Sequence, residues 1–178
     1  LGLSATACSR GAHQAAPPPH LPAATVPPTL SVLGTNVVLK PNTSKKTARA
    51  FRSVGAASLV REQGVWELRK ADRLVGTLQL VTLDSKRSDT RNDRDRTSIR
   101  AQILSGDAAQ LDLDGLPVWS AKDGDRVLYV WYGRQVLAVL QVKSDDLDAD
   151  ETVTQLVTTI TDSAAWPRMP LDVFEEKI

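Results

Sequence analysis

The stretch from Arg126 to Asp162 constrains the fold most. Two β-rich runs, residues 126–132 and 135–142, flank Gly133–Arg134, and an amphipathic segment follows them. The runs are dominated by Val, Leu, Tyr and Trp, which suit a pleated, packed surface. A two-residue connection at Gly133–Arg134 predicts a type II′ turn, with glycine where φ must be positive. That register sets Tyr132 against Gln135, Trp131 against Val136 and Val130 against Leu137. Side chains alternate along a strand. Val127, Tyr129, Trp131, Val136, Ala138 and Leu140 therefore share one face, and Leu128, Val130, Leu137 and Val139 the other. Both faces are apolar, which predicts a central pair of strands.

The segment after the hairpin predicts a helix. Asp148 with Glu151 three residues on is an Asp version of the capping box. Asp150 and Glu151 complement the positive end of the helix dipole. Val153, Leu156, Val157 and Ile160 fall at i, i+3, i+4 and i+7, a single apolar stripe. The opposite face carries Thr154, Thr158, Thr159 and Thr161, which are poor helix formers, so packing has to hold the helix in place.

Upstream, residues 64–70 and 73–83 predict a second hairpin around Ala71–Asp72. Trp66, Leu68, Val75, Val81 and Leu83 are expected on one face, and Glu67, Arg69 and Gly76 on the other. Residues 44–62 predict a helix capped by Ser44. Residues 96–106 predict a short one, with Ile99, Ile103 and Leu104 on one side and Gly106 as its C-cap. Residues 110–113 and 116–121 read as short strands around Asp114–Gly115. RLVGTLQL (73–80) and RQVLAVLQV (134–142) look alike and suggest a weak internal ββα duplication. The expected fold class is α+β: an antiparallel sheet of hairpins or a meander, with helices packed on one face.

At 178 residues, one domain is the expectation. Seven of the ten prolines lie between residues 9 and 43, which predicts an extended Pro/Ala-rich tether. Its one apolar patch, residues 30–40, is a candidate edge strand. Residues 44–166 then form a single α+β domain. Within it, residues 84–96 carry five positive and four negative charges and read as a solvated loop. Residues 167–178 form a C-terminal tail with Leu171, Val173, Phe174 and Ile178. It either docks back on the domain or offers an apolar surface to a partner.

The chemistry is limited by what is missing. The one cysteine, Cys8, and both histidines, His13 and His20, lie in the first 20 residues. The domain therefore holds no disulfide, no Cys or His metal site, no Ser–His–Asp triad and no Cys–His dyad. It shows no Gly-rich phosphate loop and no nucleophile elbow. Asp145, Asp146, Asp148 and Asp150 begin like a calcium loop. Glu151 then stands where the loop needs Gly, and Val157 where it needs Glu. Helix capping explains these acids, and neither a metal nor a cofactor is expected. Asp112, Asp114, Asp123 and Asp125 offer paired acids of the kind that hydrolyse glycosides, although Asp at turns has its own backbone reasons. Charge is balanced, 22 basic residues against 21 acidic, so nothing draws the chain to nucleic acid. The aromatics Trp66, Trp119, Tyr129, Trp131 and Tyr132 are the candidate ligand or partner surface. For such residues in apolar strands the core is the commoner fate.

The first eight residues, LGLSATAC, run from small apolar residues straight into Cys8. Ala5-Thr6-Ala7-Cys8 resembles the lipobox at the end of a bacterial lipoprotein signal peptide of the actinobacterial type, with Ala in place of the usual first Leu. The resemblance implies that residues 1–8 are the end of a leader whose earlier part precedes residue 1. It also implies that Cys8 carries a thioether-linked diacylglycerol and sits on the extracytoplasmic face of the cell membrane. The expected function is then a lipid-anchored envelope protein with a non-catalytic binding or scaffolding domain. Its partner is a membrane-protein complex that it serves as an accessory subunit, or a small apolar ligand. The alternative is a carboxylate-dependent hydrolase acting on envelope glycans.

Overall fold

The structure is a computed structural model and describes residues 26–42, 60–83, 100–101, 103–104, 108–132 and 136–161. Eight strands run in the order β1 (Thr29–Val32), β2 (Thr35–Pro41), β3 (Val60–Lys70), β4 (Arg73–Leu83), β5 (Ala109–Leu113), β6 (Leu116–Asp123), β7 (Arg126–Tyr132) and β8 (Val136–Lys143), followed by one helix, α1 (Ala149–Thr161). They form one sheet, ordered β1-β2-β3-β4-β8-β7-β6-β5, in which every neighbour is antiparallel. Two four-stranded meanders thus meet at a β4–β8 seam. The expected antiparallel sheet with a helix is what the chain forms.

Tight turns set the strand ends. Leu33–Gly34, Ala71–Asp72 and Asp114–Gly115 each place both residues at positive φ, the signature of a type I′ turn, whose twist matches that of the flanking strands. Leu33 and Ala71 take this conformation, at φ 45° each, without the freedom of glycine. Gly76 answers a different need. β4 and β8 approach so closely there that a Cβ would lie 2.6 Å from the Gln141 carbonyl oxygen. The same stretch bulges, since Leu68 pairs with Gly76 and Arg69 with Leu74, leaving Val75 as the extra residue.

One sheet face carries the larger core. Leu39, Leu68, Leu78, Leu80, Tyr129, Trp131, Ala138 and Leu140 are buried there with Val153, Leu156, Val157 and Ile160 of α1. Burying the four helix side chains contributes about 6–12 kcal/mol as an upper bound. Asp148 caps α1, its Oδ1 accepting from the Glu151 N–H at 2.8 Å. Along the Thr-rich side, the hydroxyls of Thr154, Thr158 and Thr159 donate to carbonyls four residues back at 2.7–3.0 Å. The opposite sheet face buries Val81, Val130, Tyr132 and Leu137 beneath Leu104.

Several expectations are corrected. Tyr132 pairs with Leu137 and Val130 with Val139, two residues beyond the predicted register. β7 ends at Tyr132 and β8 begins at Val136, so three residues separate the strands rather than two. A shift of two preserves the alternation, so the predicted faces stand. The apolar patch at 30–40 is a hairpin, β1–β2, rather than one strand, and it pairs with β3. The sheet therefore begins inside the expected tether. Residues 60–62, expected to be helical, open β3; the rest of that predicted helix lies outside the described residues, as do residues 84–96 and 167–178. Val81 lies on the face opposite Trp66, because the even partners of Trp66 and Leu68 are Leu78 and Gly76. Finally, Arg100, Ala101 and Ile103 are helical as predicted, but Ile103 and Leu104 pack on the sheet face opposite α1. Packing of both helical segments on a single face is therefore not what forms.

Candidate functional site

β6 runs toward one end of the sheet and β7 away from it, joined by Gly124–Asp125, with Gly124 at φ 62°. The Ser144–Asp148 link from β8 to α1 crosses the same end, where Ser144 donates to the Asp125 carbonyl through both its N–H (3.0 Å) and its hydroxyl (3.1 Å). This tether fixes the start of α1 over β7. The helix then crosses the core face toward the far edge, where Gln155 Nε2 donates to the Ser31 carbonyl of β1. The β5–β6 side of that face stays uncovered by α1. The result is an open groove of about 750 Å³, lined by Ala109 and Leu111 of β5, Ser120 and Lys122 of β6, Val127 and Tyr129 of β7, and Asp148 and Asp150 at the helix start.

The groove's phenol and two carboxylates are already in use. Tyr129 is buried, and its hydroxyl donates to Asp150 Oδ1 at 2.6 Å. Burial, then the hydrogen bond to Asp150 and the charges of Asp150 and Asp148, push the Tyr129 phenol well above its usual range. Asp148 is held as the helix cap. Lys122 is exposed and lines the same groove as the two carboxylates, adding a positive charge to it. Apolar Leu111, Val127 and Ala109 complete the lining. Such a surface can hold a mixed polar–apolar group.

The five sequence-predicted aromatics do not form one surface. Trp66, Tyr129 and Trp131 are buried in the core beneath α1. Tyr132 and Trp119 are on the opposite face, their rings 5.4 Å apart and tilted by 53°. Arg100 stacks over Trp119, 4.2 Å from its centroid. Trp119 alone of the five is half-buried rather than buried. Of the five, Tyr129 reaches the groove, through its lining and its hydroxyl. The Trp131 indole N–H is buried and meets no acceptor among the described residues. Of the other groove residues, Asp148 and Asp150 read from the sequence as helix-capping acids, whereas Lys122 and Leu111 escaped it. Only the return of the chain from β8 into α1 brings them into one groove with Asp148 and Asp150.

The acids separate as well. Asp112 and Asp114 belong to the β5–β6 turn, where Asp112 Oδ1 accepts from the Gly115 N–H at 2.8 Å. Asp123 and Asp125 lie at the other end of β6, about 23 Å away at ~3.3 Å per residue. Glycosidase carboxylates stand within about 10 Å of each other, so an acid of one turn cannot act on the same bond as an acid of the other. Asp146 pairs with Arg73, Asp148 caps α1 and Asp150 takes the Tyr129 proton bond. Among the described residues, no three His, Cys, Asp or Glu side chains gather where they could hold a metal ion. Lipidation at Cys8 concerns a residue outside the described ones. No family model matches the chain, and no curated protein or solved structure shows significant similarity to it.

Proposed function

We propose that this chain is a lipid-anchored protein of the cell envelope whose sheet domain binds a partner and catalyses nothing. The anchor is a diacylglycerol on Cys8, and the protein works on the extracytoplasmic face of the cell membrane. The observation that carries the anchor is Cys8 itself, the one cysteine of the chain, closing the lipobox-like Ala5-Thr6-Ala7 ahead of a Pro-rich segment. The partner site is the groove beside α1. Its carboxylates and phenol are bound to one another and to the helix cap, which suits recognition rather than proton transfer. It opens at the end of the sheet opposite the one at which the chain enters β1. An accessory subunit held beside a membrane-protein complex fits this layout.

The test is purification of the tagged protein from native membranes, with Lys122→Glu in parallel. Lys122 is exposed, so the variant should fold normally. The expected result is a membrane protein that co-purifies with the parent chain and is lost or sharply depleted with Lys122→Glu. Equal recovery of that protein with both chains contradicts the groove as its site.

A further inference from the structure

We draw no further inference here: the strongest candidate, the open pocket between the β1–β2 turn and the Ser144–Asp148 link, lined by Leu33, Lys70, Asp145, Asp146 and Asp148, is an acidic cluster in which Asp146 already pairs with Arg73 and Asp148 caps α1, and no second observation among the described residues points to a ligand there.

Discussion

Tyr129 of β7 and Asp150 of α1 are joined by a 2.6 Å hydrogen bond, with the phenol as donor. It ties the first turn of the helix to the sheet beside the groove and commits the groove's one phenol to structure. Hydrogen bonds to charged groups contribute about 1.5–3 kcal/mol. Tyr129→Phe should therefore lower stability by about that amount near neutral pH. The pH dependence follows from the raised phenol pKa. Tyrosine in the unfolded chain ionises near pH 10, while folded Tyr129 keeps its proton above that. Its stabilisation is therefore complete below about pH 10 and is lost as pH climbs toward the folded value. Denaturant titrations of both chains should show the gap between them narrowing above pH 10. A constant gap would mean that the phenol is not tied up in this way.

Leu33 sits at the tip of the β1–β2 turn with φ 45° and 71% of its surface exposed. A left-handed conformation costs a branched side chain about 1–2 kcal/mol. Leu33→Asn gives the turn the Asn-Gly pair that type I′ geometry favours. It should raise stability by about 1 kcal/mol, or about 2–4 °C in Tm for a chain of this size. A drop in Tm would show that Leu33 makes a contact its exposure conceals.

Trp131 is fully buried between Val118 and Ala138 on the neighbouring strands. Trp131→Ala should cost about 3–5 kcal/mol. Because its indole N–H meets no acceptor among the described residues, Trp131→Phe should cost clearly less. Trp119→Ala, at a half-buried site, should also cost less. Chemical denaturation ranks the three, and equal losses at Trp131 and Trp119 would contradict the assignment of Trp131 to the core.

The sequence made some of this legible and hid the rest for physical reasons. The alternation of Tyr129 and Trp131 against Val130 and Leu137 identified both faces of the hairpin, because parity survives a slip of two residues. It could not fix where the second strand begins, since Gln135 suits a strand as well as a loop. The helix was clear from Asp148 and the Val153–Ile160 stripe, which act locally. The β1–β2 hairpin was hidden because Leu33 is an unfavourable residue for its turn. The pairing of β4 with β8 joins segments far apart in the chain, and the likeness of RLVGTLQL to RQVLAVLQV suggested a duplication rather than a pairing. The groove depends on which strand α1 crosses, a long-range outcome that no local pattern encodes. Lys122 and Leu111 were therefore invisible as site residues.

The proposed lipid anchor depends on Cys8. The measurement is membrane fractionation of the full-length protein expressed in its own host, parent against Cys8→Ser. Each buried CH₂ of an acyl chain contributes about 0.8 kcal/mol, and two chains suffice for stable anchoring. The parent should sediment with membranes and leave them only with detergent, and Cys8→Ser should move to the soluble fraction. Equal membrane retention of the two chains would contradict the lipid anchor.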